Sequence, residues 1–374
     1  MSHHNKEKIP YGMVGGGQDA FIGYVHRIAA RLDGNFELVA GALSSRPEIA
    51  KSSGLDLGLA PDRTYTDFEE MARAEAARSD GIKAVVIVTP NHLHFAPAKA
   101  FLEAGIHVIC DKPLTAQLDE AIALSKVVPK NGAKFLLTHN YTAYPLMRKA
   151  RQMVADGELG KIRVVQVEYP QEWLTKDVEN KQANWRTDPA KSGIGGCIGD
   201  IGTHAYNILR FVTGLTTQSL SADLTSFVSG RQLDDNVHIM LRFEGGARGM
   251  LWASQVAPGC ENGLQLRVFG ENGALEWRQD NPNQMWHSPF GQPRQLLTRG
   301  SEAAAGEGVS VRIPAGHPEG YLEAFATLYD EFAGVIRGQS DGALLPTLAD
   351  GVEGMRFIAA AVASSENNGK WTKL

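Results

Sequence analysis

A lysine ahead of a proline at the end of an apolar run, and an aspartate four residues before a histidine in a glycine-rich stretch, are the groups of this chain best suited to moving a proton. The first pair lies in "VICDKPLTAQ" (108–117). Ile106, Val108 and Cys110 alternate inward along a strand and Pro113 resists its continuation, which leaves Asp111 and Lys112 at the strand's carboxyl end. The second lies in "GGCIGDIGTHAYNILRF" (195–211), where glycines lead into a helical pattern through Ala205, Ile208, Leu209 and Phe211. On a helix, Asp200 and His204 would share one face. A carboxylate that orients and polarises an imidazole is an arrangement for general acid–base chemistry. The plainer alternatives are Asp200 as a helix cap and Lys112 as a solvated strand-end lysine.

A dinucleotide pattern accompanies these groups. In "VGGGQDAFIG", Gly15, Gly17 and Ala20 satisfy G-x-G-x-x-[GA] around Gln18, a spacing that lets the backbone approach a pyrophosphate at a helix start. Gly23 followed by His26 marks an equally good helix start and would make the loop longer. The second apolar run ends in "GALSSRPE", with no acid to grip a ribose 2′-hydroxyl. Ser44, Ser45 and Arg46 could receive a 2′-phosphate, a lean toward NADP, or the segment could simply cap the next helix, so NAD and NADP both stay open. "VTPNHLHF" puts Thr89, Asn91 and His94 at another strand end, where Asn91 suits a ribose or carboxamide contact, or a helix cap. His92 and His94 have no cysteine or carboxylate nearby in sequence, and no metal is expected.

From Ile9 to His139 short apolar runs ("IPYGMV", "FELVAGA", "KAVVIVT", "IHVIC", "KFLLTH") alternate with amphipathic stretches, which means a parallel sheet covered on both faces. Such sheets bind ligands beyond the carboxyl ends of their strands. After Tyr144 the rhythm changes to alternating runs, "KIRVVQVEY", "LTSFVSG", "NVHIMLRFEGG", "ARGMLWAS", "LQLRVFG" and "GALEWRQ", expected to form a mostly antiparallel sheet. The segment 281–308 reads as a surface excursion, and two late helical stretches as covers for a sheet face or the domain junction. The expected architecture is α/β plus α+β: a doubly wound dinucleotide-binding domain over 8–141, and over 142–374 a domain with a large open antiparallel sheet for substrate and oligomerisation. If the openings of the two domains face each other, Lys112, Asp200 and His204 serve one ligand. A broad open sheet would expose apolar strands, which points to a homodimer or homotetramer through that face.

With 374 residues, 43% hydrophobic and 21% charged, the chain exceeds one domain of ordinary size. A net charge of −5 and the lack of long like-charge runs give no footprint for nucleic acid, so the expected partner is a small molecule. No apolar stretch approaches the ~20 residues of a membrane span, and the polar start lacks a signal-peptide core, so a cytoplasmic protein is expected. Cys110, Cys197 and Cys260, odd in number and far apart, read as reduced packing residues.

Taken in order, "VGGG", "TPNHLH", "DKP", Tyr144-Pro145, "NWR" (184–186) and "GGCIGDIGTH" resemble the Gfo/Idh/MocA family of NAD(P)-dependent oxidoreductases, which act mostly on sugars, polyols and glycosides. The resemblance covers nearly the whole chain. It implies that Lys112 and His204 handle the proton of a substrate hydroxyl and that Asp200 orients it. It also implies a frequently cis bond before Pro113, cofactor contacts from Asn140, Trp185 and Arg186, and substrate contacts from Tyr141 and Trp173. Lys176 and Gln182 fall in the same substrate loop, and Lys176, Lys181 or Arg186 could hold an anionic substituent. Two departures stand out: Asp111 replaces the usual Glu, and the glycine loop is long. Two alternatives remain open. One is a glycosidase of the same family that oxidises, eliminates, adds water and reduces again without net cofactor use; the other is a dinucleotide sensor without chemistry.

Overall fold

The five apolar runs become five parallel strands. The computed structural model describes residues 7–306 and 308–374; the side chain of Lys181 lies outside the described set, as does most of the polar start. The first unit holds β1 (Ile9–Gly15), α1 (Phe21–Leu32), β2 (Phe36–Ala42), α2 (Pro47–Asp56), α3 (Phe68–Ala77), β3 (Ala84–Val88), α4 (Phe95–Ala104), β4 (His107–Cys110), α5 (Leu118–Ser125) and β5 (Phe135–Leu137). Their order across the sheet is β2-β1-β3-β4-β5, all pairs parallel. A sheet covered on both faces has no wet side, so every residue of β3 is buried, and in β4 Val108, Ile109 and Cys110 are buried together. The alternation read into Ile106, Val108 and Cys110 does not hold for that reason. Burial also pushes the Cys110 and Cys197 thiols up, which keeps them protonated; Cys260 is half-buried.

The second unit starts with α6 (Pro145–Ala155), whose proline sits in the first turn after Tyr144. There follow β6 (Ile162–Pro170), α7 (Lys181–Arg186), α8 (Pro189–Ser192), a π-helical turn (Ile198–Gly202), α9 (Thr203–Thr213), β7 (Thr217–Thr225), β8 (Asn236–Phe243), β9 (Arg248–Ser254), β10 (Gln265–Gly270), β11 (Gly273–Arg278), β12 (Gln284–Pro289) and β13 (Gln295–Thr298). Two long helices, α10 (Tyr321–Ile336) and α11 (Leu348–Glu366), precede the short β14 (Thr372–Lys373). Nine strands form one sheet in the order β13-β12-β11-β10-β6-β9-β8-β7-β14, antiparallel throughout except where β6 runs beside β9. One face buries Val165, Val167, Val237, Ile239, Leu241, Leu251 and Val268. Two expectations are corrected. The stretch 281–308 contributes β12 and β13 to the sheet because Met285 and Leu297 find a buried face there. The strand assigned to "LTSFVSG" ends at Thr225, and Phe227 and Val228 are held instead by the Asp235 carboxylate.

The boundary between the units also differs from a cut at 141/142. One unit comprises residues up to Thr138 together with Phe325–Val352; the other comprises His139–Ala324 and Glu353–Leu374. The late segment joins the parallel sheet through aromatic packing. Tyr329 meets Phe36 edge-on with centroids 5.4 Å apart, Phe332 meets His107 at 6.2 Å, and the Leu137 N–H donates to the Pro346 carbonyl at 3.0 Å. Asn35 joins it too, donating to Asp330 at 2.7 Å. No described helix is long and apolar enough to cross a membrane.

His26 on α1 is fully buried in this packing, with Nδ1 2.8 Å from the Tyr329 hydroxyl and the Phe325 ring 5.0 Å away. Burial lowers its pKa from 6.5 to about 4, chiefly because the charged ring would lose its water. The unfolded chain therefore binds the proton first, and stability falls as pH drops from 6.5 toward 4. From this residue alone, acidifying from pH 7.5 to 5 should cost about 2 kcal/mol. Denaturant midpoints at the two pH values check it: His26→Gln should show a shallower pH slope than wild type, and equal slopes would refute the reading.

Candidate active site

In the first unit the sheet's order reverses between β1 and β3, so the loops following those strands flank a crevice at the switch point. Gly15 and Gly16 both have positive φ (78° and 73°), and a Cβ on Gly15 would press on Thr89 and the Val88 carbonyl at 3.0–3.1 Å. The helix starts at Phe21 after Ala20, and the close contact falls on Gly23, where a Cβ would lie 2.4 Å from the Gly16 Cα. The longer of the two loop readings is the one the chain adopts. Gly17 donates to the Leu43 carbonyl at 3.2 Å, and Gln18 turns its amide to Ser52 and Asp56 of the α2 segment, each at 2.8 Å. This cradle of bare backbone before a helix start fits a dinucleotide pyrophosphate. At the end of β2, the Ser44 hydroxyl accepts from the Arg46 N–H at 3.1 Å, while Ser45 and Arg46 are exposed.

Thr89 and Asn91 follow β3, with Asn91 buried; the Thr89 hydroxyl donates to the Leu93 carbonyl at 2.9 Å. The α4 helix begins after His94, so Asn91 is not its cap residue. His94, expected among the cofactor contacts, lies just before α4. Its ring is buried, with Nδ1 2.8 Å from the Pro113 carbonyl and Nε2 2.8 Å from the Thr89 carbonyl, so both nitrogens face backbone. It ties the loop after β3 to the loop carrying Lys112, whose bond to Pro113 is cis. The shorter Asp111 side chain folds onto its own loop, where Oδ1 accepts from the Lys112 N–H at 2.9 Å and the Thr138 hydroxyl at 3.0 Å.

In the second unit, Asn140 to Ala143 form a buried turn, and the Asn140 Nδ2 has no hydrogen-bond partner among the described residues. Tyr141 packs edge-on against His204 at 4.9 Å, His139 does so at 5.4 Å, and the Tyr141 and Tyr169 hydroxyls lie 2.5 Å apart. Burial pushes both phenols up, so they remain hydrogen-bond donors. Asp200 sits in the π-helical turn just before α9, so Asp200 and His204 are separated by an over-wide turn rather than stacked on one regular helix. The Asp200 Oδ2 accepts from Arg186 Nε at 3.2 Å and from Gln255 Nε2 at 2.9 Å. Arg186 also reaches Gln182 and lies over the Trp185 ring, 4.3 Å from its centroid. Trp173 is half-buried, its indole donating to Gln171 at 3.0 Å; Lys176 is exposed.

Sequence reading missed Tyr169, Gln255, Asp234 and Asp235. Asp234 is a half-buried carboxylate whose oxygens accept from the Gly196 N–H at 2.7 Å and the Ile198 N–H at 2.8 Å. Burial pushes it up to about 6, against the pull of those two donors. The acidic pair ahead of "NVHIML" was the available signal. Among the described residues no three His, Cys, Asp or Glu side chains cluster as metal ligands would.

Residues 9–139 match the family described as "Oxidoreductase family, NAD-binding Rossmann fold", and residues 147–276 match the GFO/IDH/MocA C-terminal domain. The chain belongs to the GFO/IDH/MocA oxidoreductase family. An oxidoreductase from Sinorhizobium meliloti is 54% identical, with a TM-score of 0.91, over 98% of this chain and 100% of that one. An inositol dehydrogenase homolog from Azotobacter vinelandii, solved with NADH and myo-inositol, is 38% identical, with a TM-score of 0.91, over 99% and 98%. Levoglucosan dehydrogenase from Pseudarthrobacter phenanthrenivorans is 29% identical over 98% of each chain. The cofactor of this GFO/IDH/MocA member is a nicotinamide dinucleotide, and at the turn after β1 Gly15, Gly16 and Gly23 leave the backbone bare. Gly23→Val should displace the Gly16 backbone and weaken NADH binding by about tenfold or more, roughly 1.4 kcal/mol, while the circular dichroism stays native. Wild-type affinity in a fluorescence titration would refute that role.

Proposed function

We propose that the protein is an NAD(P)-dependent dehydrogenase that removes hydride from a secondary hydroxyl carbon of a sugar, polyol or glycoside, with Lys112 and His204 handling the hydroxyl proton. The observation that carries this reading is the His204 ring, buried among Tyr141, His139 and Tyr169 beside the turn in which Arg186 and Gln255 hold the Asp200 carboxylate. The relatives named for levoglucosan and solved with myo-inositol support a carbohydrate or polyol substrate. When bound, the dinucleotide supplies the hydride acceptor. The chain must then supply a proton acceptor within hydrogen-bond reach of the hydroxyl, because the carbonyl forms only as the oxygen gives up its proton and the carbon its hydride. Lys112 at the end of β4 and the His204 imidazole are those groups, and Asp200 orients the second. Tyr141 and Trp173 hold the substrate.

Gln18, Ser44, Ser45, Arg46, Thr89, Asn91, Asp111, Asn140, Trp185 and Arg186 are proposed around the dinucleotide, with NAD and NADP both admitted by an acid-free β2 end. Both cofactors should be assayed against myo-inositol, levoglucosan, free sugars and nitrophenyl glycosides, following absorbance at 340 nm and aglycone release together. Steady formation of reduced cofactor is expected; aglycone release without it would replace this reading with the redox-neutral glycosidase. Lys112→Met should lower turnover by roughly 10²–10⁴-fold and leave NADH affinity unchanged. A variant with wild-type turnover would overturn the role.

We also propose that a second copy of the chain covers the open face of the nine-stranded sheet. That face carries Met240 and Met250, cross-strand partners that are 54% and 56% exposed, with His238 and Trp252 stacked beside them. Contiguous apolar surface on a broad sheet calls for a partner. Sedimentation should show a dimer or tetramer that Met240→Glu with Met250→Glu dissociates. A wild-type species of 40.5 kDa at micromolar concentration would remove the idea.

A further inference from the structure

The reading of Asp200 as a substrate-side group leaves open what keeps it in place. Its carboxylate lies in a π-helical turn shortly after two glycines, where Cys197, Ile198 and Ile201 are buried and Asp200 itself is half-buried. Three separate links lead from it to one dipeptide. The Asp234 carboxylate accepts from the Gly196 and Ile198 N–H groups, and the Asp234 carbonyl accepts from the Cys197 N–H at 2.8 Å, so three successive amides ahead of the turn end on one residue. The Asp235 carbonyl accepts from the Gln255 N–H at 2.8 Å, and the Gln255 side chain is the one that donates to Asp200. The Asp235 carboxylate is fully buried; it accepts from the Phe227 and Val228 N–H groups and pairs with Arg231 at 3.0 Å. Arg231 in turn donates to the Leu174 carbonyl at 2.9 Å, and the Leu174 N–H donates to the Gln255 carbonyl at 3.0 Å, so the Trp173 loop is fastened to the same point. Gly196 is required there: a Cβ would lie 2.3 Å from the Asp234 carbonyl.

We propose that Asp234 and Asp235 are positioning residues that set the Asp200 turn and the Trp173 loop in register with each other, and so fix the substrate half of the site while leaving dinucleotide binding alone. This rests on the reading of Asp200 and His204 as substrate-handling groups. A fully buried carboxylate beside a half-buried one is costly unless each is engaged, and here each is engaged by a different loop. An amide in place of either acid puts an NH₂ group against an N–H donor or against Arg231, so one link breaks without loss of side-chain volume.

The test uses the full chain with NADH and the best substrate of the panel above. Asp234→Asn should lower kcat/KM at least about tenfold, mostly through kcat, with NADH affinity unchanged. Hydrogen exchange should rise in 195–202 and stay at wild-type levels in 9–42. Asp235→Asn should do the same, with faster exchange in 171–176 as well. Combining Asp234→Asn with Asp200→Asn should add little to the loss from Asp200→Asn alone, because a misplaced carboxylate has little left to lose. If the asparagine variants fail to fold, Gly196→Ala tests the same link from the other side and should give the same kinetic split. Wild-type kcat/KM in Asp234→Asn or Gly196→Ala, or fully additive losses, would overturn the positioning role. Should Asp200→Asn itself turn over normally, the substrate-handling reading falls and this proposal with it; an inactive Asp200→Asn beside a normal Asp234→Asn would sink the proposal alone.

Discussion

A carboxylate withdrawn from water has to be supplied with donors, and the second unit is arranged around supplying Asp200. Arg186 comes from the end of α7, Gln255 from just past β9, and the π-helical turn brings the carboxylate to where both can reach it. Asp200 and His204 follow one another through this wider turn rather than along one regular helix; the Asp200 carboxylate accepts from Arg186 and Gln255, and the His204 ring packs against Tyr141, His139 and Tyr169. The parallel pairing of β6 and β9 in an otherwise antiparallel sheet belongs to the same arrangement. It sets Pro170 beside Ser254, so the Trp173 loop and Gln255 leave the sheet at the same edge.

The first unit answers a different demand. A pyrophosphate is best met by backbone N–H groups without side chains in the way, and the approach of loop and helix at Gly16 and Gly23 leaves such a backbone surface. Residues that read as ligand contacts also serve to hold this half rigid. Gln18 is fastened to α2, and the buried His94 ring, kept neutral by burial, lies between two loops and donates its one N–H to one of the two carbonyls that flank it. Lys112 is presented by a loop fixed through Asp111, Thr138 and His94, not by a free strand end.

Much of this was legible in the residues. The five parallel strands announce themselves because burial on both faces leaves uninterrupted apolar runs, and the glycine loop and the Lys112 and His204 segments carry local spacing that chemistry restricts. Asp234, Asp235 and Gln255 escaped because their importance is set by register between strands and loops far apart in sequence; "LDDN" and "WASQ" look like ordinary strand ends. The strands β12 and β13 escaped because Pro, Gly and Gln around them mask a weak alternation at Met285 and Leu297. A histidine at a strand's carboxyl end offers the same signal whether it faces a ligand or, as His94 does, two carbonyls.

The segment Phe325–Val352 completes the parallel-sheet unit that begins the chain. During synthesis, Phe36, His26 and His107 emerge long before the aromatic side chains of α10 that cover them. The unit whose strands are made first is therefore the one that must wait, its apolar face open until the intervening residues 139–324 have been made. The order of translation and the order of completion run in opposite directions.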